Sequence, residues 1–181
     1  MSTRRISHPL ALLGVSVIFA LLIGLGIWQL QRADEKQAWF DGYSARISEA
    51  PIQITDRLLG PDRSNFPAEV RGRFDGEGQF LWDNRTHQGQ PGFHVITPFV
   101  INPGETRILV DRGWIPLSGS RENLPIPKIP AGLKVISGYL YESKPGFTLE
   151  ARAPQYDSAL RQNVDLSAFA SSAPYTVQPY V

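Results

Sequence analysis

The sequence predicts one membrane-spanning helix near the N-terminus, followed by a mainly-β (α+β) domain folded as a small antiparallel barrel or sandwich. Three observations predict this class. A long uncharged apolar run lies near the start of the chain, short apolar segments between turn residues follow it, and the 181 residues include 15 prolines and 16 glycines. This composition favours short strands joined by turns over a helical bundle. The length allows one domain of roughly 130 to 150 residues and a short additional element.

The charge balance and the cysteine count exclude several functional classes. The 18 basic residues nearly equal the 17 acidic ones, so no positive field marks the protein as a nucleic-acid binder. The sequence contains no cysteine. It therefore offers no disulfide framework, no thiolate metal site and no cysteine nucleophile.

The apolar run, residues 9–31, follows a short tail of residues 1–8 and is long enough to cross a bilayer. At about 1.5 Å per residue it matches a hydrocarbon core of roughly 30 Å. Trp28 lies at its far end, where an indole ring suits the boundary between lipid and water, and Arg32 follows within a turn. We therefore predict a membrane anchor whose edge is marked by Trp28 and Arg32.

A cleaved signal peptide is the competing interpretation of this run. Arg4 and Arg5 resemble its basic start, but the run is longer than a signal peptide needs and no clear Ala-x-Ala site precedes Trp28. A helical apolar pattern also continues into residues 32–49, which we predict to be a juxtamembrane helix that packs on the following domain. The residues of this pattern are Trp39, Phe40, Tyr43 and Ile47.

The orientation is predicted from the lengths of the two flanks, because basic residues lie on both sides of the helix and do not decide it. A short tail precedes the helix, and a long segment, residues 50–181, follows it. This arrangement fits a signal anchor that exports its C-terminal domain. We expect a single-pass membrane protein whose β-rich domain lies outside the cytoplasm.

Two hairpins are predicted from turn residues between β-type segments. Residues 70–74 and 79–83 flank an Asp-Gly turn that begins at Asp75, which predicts the first hairpin. Residues 93–101 and 107–114 flank a turn that contains proline and glycine, which predicts the second.

Pro98 lies inside the first strand of the second hairpin, and it has no backbone N–H. We therefore expect it at a sheet edge or at a bulge, where no ladder hydrogen bond is lost. The other predicted elements are an irregular proline-rich loop at residues 116–130, a strand at 133–141, a short helix at 165–171 capped by Asp165, and an extended segment at 175–181.

The catalytic inventory is small. No G-x-S-x-G elbow, P-loop, H-E-x-x-H or dinucleotide fingerprint is present. Apart from His8, the histidines are His87 and His94, which we interpret as a solvated loop residue and a strand residue. They need not face one another, and a zinc site would require a third ligand. We predict no catalytic residue and no metal site.

Asp111, Arg112 and Arg85 are the polar residues that need an explanation. Asp111 and Arg112 are neighbours on a predicted strand, so they point to opposite faces and each needs a partner elsewhere. Either residue could tie down a neighbouring loop or take part in binding, and Arg112 would suit a ligand that carries a carboxylate. Arg85 allows the same two interpretations.

Four segments in a fixed order resemble the surfeit locus protein 1 family. They are LGIWQLQR at residues 25–32, RGRF at 71–74, GFHVITP at 92–98 and LVDRGWIP at 109–116. Residues 163–166 look like a late segment of the same family, so the resemblance covers nearly the whole chain. Together these motifs are specific.

The resemblance implies a protein that assists the assembly of haem-copper cytochrome c oxidase in a bacterial plasma membrane or a mitochondrial inner membrane. Oxidase subunits and membrane lipid are the implied partners. Haem a, which the family has been linked to delivering to the catalytic subunit, is the implied cofactor. Arg85, Arg112 and Trp114 are then the candidate contacts for a partner or a haem propionate, with Arg112 and Trp114 as the favoured pair.

The resemblance also implies two membrane helices with the domain between them, whereas this sequence has one apolar span and stops at Val181. We expect either a naturally short protein or an incomplete sequence that lacks the second helix. Contacts to haem would be expected in that second helix, because an apolar setting suits a hydrophobic macrocycle.

Two other functions remain open at this level. A generic membrane-anchored binding module of the cell envelope would share these features without a role at the oxidase. A membrane-tethered hydrolase would need a nucleophile paired with a base, and the sequence shows no such pair.

Overall fold

The structure, a computed structural model, describes residues 8–117, 119, 124–125, 127–143 and 159–181. The chain divides into two compact units, Met1–Ala45 and Arg46–Val181. Part of the predicted loop at residues 116–130 lies outside the described residues.

Helix α1 is continuous over His8–Ile47, 40 residues, and no proline interrupts it after Pro9. Its side chains are exposed along residues 9–45, and the apolar ones among them point in all directions. A helix that is apolar on every side is suited to lipid. This helix is long and apolar enough to cross a membrane. In its polar part Arg32 pairs with Glu35 at 2.9 Å.

In the part of the chain that the structure describes, seven strands form one sheet, and a short helix follows them. The strands are β1 (Ile52–Ile54), β2 (Pro67–Phe74), β3 (Phe80–His87), β4 (Gln90–Ile101), β5 (Arg107–Pro116), β6 (Lys134–Tyr139) and β7 (Leu160–Arg161). The helix is α2 (Leu166–Ser172). The fold is α+β, as predicted.

The sheet is mixed and open, so the barrel form of the predicted antiparallel barrel or sandwich is not confirmed. β4 pairs with β5 on one edge and with β2 and β3 on the other, and β2 pairs with β6 on its far edge. These pairings are antiparallel, but the short strands β1 and β7 pair parallel to β2 and β3.

The barrel does not close, because among the described residues β5 and β6 do not pair with each other. The C-terminal segment, residues 176–181, lies between them at one end instead. It exchanges backbone hydrogen bonds with Arg107 at the start of β5 and with Tyr141 just after β6. This segment is extended, as predicted, and it bridges part of the gap between the two outer strands.

The first predicted hairpin is wrong. β2 and β3 do not pair with each other; they follow one another along the same edge of β4, where Phe74 lies opposite Phe99 and Phe80 lies opposite Ile96. Residues 75–79, between β2 and β3, therefore leave the edge of β4 for one short loop, which we call the excursion. Phe80 is buried in the same cluster as Ile96, and the partly buried Phe74 packs against Phe99 with 5.0 Å between the ring centroids. These contacts favour this arrangement over a local turn.

The second predicted hairpin is confirmed as β4 and β5, but Pro98 lies in the middle of the sheet and is fully buried. Its carbonyl accepts a hydrogen bond from the N–H of Asp75 at 2.9 Å. In a strand, the N and the C=O of one residue point to the same side. The missing N–H of Pro98 therefore faces the excursion between β2 and β3, where no ladder bond is lost.

Three hydrophobic clusters hold the sheet together. One contains Phe99, Ile108 and Tyr180, and another packs Phe80 and Ile96 under the buried Phe169 of α2. A third, smaller cluster contains Leu81, Phe93 and Val95. The strand predicted at residues 133–141 is confirmed as β6, and the predicted helix is confirmed as α2.

Asp165 caps α2 as predicted. Its Oδ1 accepts hydrogen bonds from the backbone N–H groups of Ser167 and Ala168, each at 3.0 Å. These bonds stabilise the ionised carboxylate. The backbone bond from Ala168 is the largest cause and the bond from the hydroxyl of Ser167 is the second, and together they lower the pKa of Asp165.

Candidate functional site

A pocket of about 480 Å³ lies in the gap between the outer strands β5 and β6. Consecutive residues of both strands line it, 108–111 on one side and 136–141 on the other. Its volume is within the range of roughly 300 to 1,000 Å³ that is usual for small-molecule sites. Its apolar wall is formed mainly by Ile54, Val70, Ile108, Ile136 and Leu140.

A polar cluster lines the same pocket and consists of Trp82, Arg85, His94 and Asp111. The guanidinium carbon of Arg85 lies 3.4 Å from the centroid of the Trp82 ring, a close cation–π contact. Nδ1 of His94 lies 2.6 Å from Oδ2 of Asp111. Both of these side chains remain about one-third exposed.

A bulge in β3 places Arg85 beside Trp82. Trp82 lies opposite His94 and Arg85 opposite Gly92, so β3 has one residue more than β4 over this stretch. Residues three apart on a regular strand point to opposite faces, and one extra residue brings them to the same face. Asn84, with φ of 58°, supplies the left-handed backbone that this bulge uses.

A second bulge, in β5, places His94 near Asp111. Ile96 lies opposite Asp111, whereas His94 lies opposite Trp114, so β5 has the extra residue here. Gly113 lies in this bulge with φ of 106°, which only glycine adopts without strain. His94 is therefore the partner that the sequence predicted for Asp111 outside its own strand.

Arg112 points away from this cluster. Its Nη1 donates to Oε1 of Gln79 at 3.1 Å, and its Nη2 donates to the carbonyl of Lys128 at 2.7 Å. The guanidinium also lies 5.3 Å from the centroid of the Phe74 ring. These contacts tie the loop before β6 to β5, and a role in ligand binding stays a prediction.

Trp114 is also engaged in holding the sheet. Its indole Nε1 donates to the carbonyl of Arg85 at 3.0 Å, and its ring lies 5.3 Å from that of His87. The favoured pair of Arg112 and Trp114 therefore has separate partners. Of the three candidates Arg85, Arg112 and Trp114, it is Arg85 that lines the pocket.

The sequence reasoning missed Trp82 and Tyr141 as site residues. Their rings lie 6.3 Å apart, and Nε1 of Trp82 donates to the carbonyl of Gln162. Trp82 stands three residues before Arg85, a spacing that would suggest proximity only if the bulge were known. Among the residues that the structure describes, no group of three His, Cys, Asp or Glu side chains is placed to hold a metal ion.

A long apolar helix able to cross a membrane, joined to an α+β domain with an amphipathic pocket, is the architecture of a membrane-anchored binding protein. Comparison with known proteins narrows this class. The profile of the SURF1 family matches residues 16–181. The chain therefore belongs to the SURF1 family.

Individual relatives agree with this assignment. A SURF1-like protein of Mycobacterium tuberculosis is 31% identical over 143 residues, covering 75% of this chain and 52% of the relative. Surfeit locus protein 1 of Arabidopsis thaliana is 30% identical over 112 residues, covering 55% of this chain and 32% of the relative. A SURF1-like protein of Dictyostelium discoideum is 28% identical over 126 residues, covering 64% and 46%. The chain spans about half the length of the first of these relatives.

Proposed function

We propose that this protein assists the assembly of haem-copper cytochrome c oxidase without catalysing a reaction itself. Membership of the SURF1 family is the observation that carries the proposal. The partners are oxidase subunits and membrane lipid. The absence of an enzymatic sequence motif supports a non-enzymatic role, because assembly requires binding and positioning and no chemical step.

The proposed setting is the plasma (inner) membrane, crossed once, with the β-rich domain outside the cytoplasm. In this proposal residues 1–8 form the tail, 9–31 the membrane helix, 32–49 the juxtamembrane helix and 50–181 the exported domain. The exposed apolar surface of α1 supports the membrane segment. Trp28 and Arg32 would mark its outer edge.

Haem a is the cargo that the family resemblance implies, and we tested whether the described residues fit it. Haem presents two propionates, whereas the pocket contains one arginine, Arg85. The donors of Arg112 and Trp114 described above are already used within the fold. The described residues therefore fit haem poorly, and the proposed assembly role does not require haem to bind at this pocket. Haem a delivery stays a separate, finer proposal.

Deletion of the gene tests the proposed function. We expect lower cytochrome c oxidase activity in isolated membranes, a weaker haem a band in reduced-minus-oxidised spectra, and recovery of both when the full chain is restored. Membranes with unchanged oxidase activity and unchanged haem a would instead favour a generic envelope binding module. Purifying the protein from cells that make haem a tests the cargo separately, because a preparation without a Soret band contradicts delivery but not assembly.

The side of the membrane can be tested with one introduced thiol, because the natural sequence has no cysteine. Lys134 is exposed at the start of β6, so the variant Lys134→Cys presents a single accessible thiol. A membrane-impermeant maleimide should label it in intact cells. Labelling only after lysis would contradict an exported domain.

A further inference from the structure

The pocket between β5 and β6 contains one cation without a compensating anion. Within the described part of the chain, Arg85 makes no ion pair. The other two ionisable side chains of its polar cluster, His94 and Asp111, are paired with each other. An anion is therefore the ligand group that the charges of this cluster favour.

Arg85 also has an unused hydrogen-bond donor. Its Nε is buried and has no partner. A buried N–H without an acceptor is unfavourable, and such groups are rare in folded proteins. Trp82 covers one face of the guanidinium, so an oxygen ligand would accept hydrogen bonds from the N–H groups along the guanidinium edge. The uncompensated charge of Arg85 and its unpaired N–H donor thus both favour an anionic oxygen ligand.

The rest of the pocket is apolar. Ile54, Val70 and Ile136 are cross-strand neighbours on β1, β2 and β6, and Ile108 of β5 and Leu140 also line the pocket. Burial of aliphatic carbon on such a wall is favourable by roughly the same amount for each methylene group. An elongated hydrocarbon chain uses this wall, whereas a small anion such as free phosphate does not.

We propose that this pocket binds an aliphatic molecule with one anionic head group, a carboxylate or a phosphate. The head group lies at Arg85, and the hydrocarbon chain lies along the apolar wall between β5 and β6. One cation matches one anionic head, which distinguishes this ligand class from dianionic haem. The inference goes beyond the proposed role at the oxidase and does not depend on it.

The proposal predicts a defined selectivity. Shortening the hydrocarbon chain should weaken binding about fourfold for each buried methylene removed. Replacing the carboxylate by a neutral alcohol of the same length should weaken it by about tenfold or more, because a charge-assisted hydrogen bond to Arg85 is lost.

Gly138 offers a way to block the pocket without disturbing the sheet. It lies opposite Ala68, so a side chain added there would point to the same face as Ala68, which lines the pocket. A Cβ at Gly138 would meet nothing within 4 Å, and its backbone is not in the left-handed region. Gly138→Leu should therefore fold normally and fill the pocket.

The experiment uses the full chain in phosphatidylcholine nanodiscs and two photoreactive probes, a sixteen-carbon carboxylate with a mid-chain diazirine and the matching alcohol. After irradiation, mass spectrometry locates the labelled residues. We expect the carboxylate to label residues of β5 and β6, and to do so about tenfold more than the alcohol. Empty nanodiscs provide the partition control for both probes.

Three variants test the assignment. Gly138→Leu should remove labelling by both probes. Arg85→Gln should reduce carboxylate labelling about tenfold and leave alcohol labelling unchanged. Arg73→Gln, an exposed arginine outside the pocket, is the matched control and should label like the wild type. Circular dichroism confirms that each variant is folded.

The proposal is overturned if carboxylate and alcohol label equally, or if labelling persists in a folded Gly138→Leu variant. Competition identifies the source of the ligand. Displacement of the probe by palmitate indicates a free fatty acid, and displacement by phosphatidylglycerol indicates an anionic phospholipid. Displacement by haem alone would assign the pocket to haem and contradict the proposed ligand class.

Discussion

Replacing Gln178 by leucine should destabilise the β-rich domain by about 2 to 3 kcal/mol. Gln178 is fully buried in the C-terminal segment. Its Nε2 donates to the carbonyls of Thr55 and Arg57 at 3.0 and 2.9 Å, and its Oε1 accepts from the N–H of Leu59 at 3.0 Å. One amide side chain thus satisfies three backbone groups of the segment between β1 and β2.

The magnitude follows from these three bonds. A polar backbone group that loses its partner inside a protein raises the free energy by roughly 1 to 3 kcal/mol. The lower end applies here because Thr55 and Arg57 are exposed, so water reaches part of this segment. Leucine also buries more apolar surface than glutamine, which offsets part of the loss.

The assay is urea unfolding of the full chain in nanodiscs, followed by tryptophan fluorescence, since Trp82 and Trp114 lie in this domain. Hydrogen exchange should also show faster exchange of the Leu59 amide, because its acceptor is gone. Gln53→Leu is the matched control. The side chain of Gln53 is exposed and hydrogen-bonds Glu69 at the surface, so the unfolding free energy of this variant should stay within about 0.5 kcal/mol of the wild type. If Gln178→Leu behaved like this control and the Leu59 amide stayed protected, the reasoning would be refuted.

Three further predictions use the same unfolding assay. Asp165→Ala should lower stability by about 1 kcal/mol, while Asp165→Asn should keep the cap of α2. Hydrogen bonds, of which the one from the backbone N–H of Ala168 has the largest effect, lower the pKa of Asp165 in the folded state from its ordinary value of 3.8. The stability that the ionised Asp165 contributes is therefore present above that ordinary value and is lost as the pH falls through the folded-state pKa. Stability measured from pH 7 to pH 2 should fall more in the wild type than in Asp165→Asn, and parallel curves would contradict this. Gly72→Ala should lower stability by about 3 kcal/mol, because the new Cβ would lie 1.9 Å from a backbone oxygen of β4. Gly138→Ala is the control and should change stability little, because its Cβ would meet nothing within 4 Å. Equal effects of the two substitutions would contradict the packing argument. Leu109→Ala, at a fully buried position, should lower stability by about 2 to 5 kcal/mol, and a smaller loss would show that the core collapses around the cavity.

Much of the fold could be predicted because its signals are local. The apolar run predicted the first part of α1, and the helical spacing of Trp39 and Tyr43 predicted its continuation. The proline and glycine between two β-type segments predicted the β4–β5 hairpin. Asp165 before a short apolar segment predicted the cap of α2. In each case a few neighbouring residues carry the whole physical reason.

The failures have the opposite character. The Asp-Gly turn at Asp75 is a strong hairpin signal, yet β2 and β3 lie along one edge of β4, where Phe74 packs against Phe99 and Phe80 is buried. The buried position of Pro98 depends on the excursion beside it, which its own neighbours do not reveal. The sheet stays open because β5 and β6, which are distant in sequence, do not pair among the described residues, and no local signal reveals this.

The candidate site shows the same division. Arg85 and Asp111 were identified from the sequence as polar residues that need an explanation, but Trp82 and His94 could not be assigned to them as neighbours. Those pairs depend on one extra residue in β3 and one in β5, and a shift of one residue reverses the face on which a side chain lies. Register between distant strands is set by the burial of the whole core. Only the tertiary structure could therefore bring these residues to one pocket.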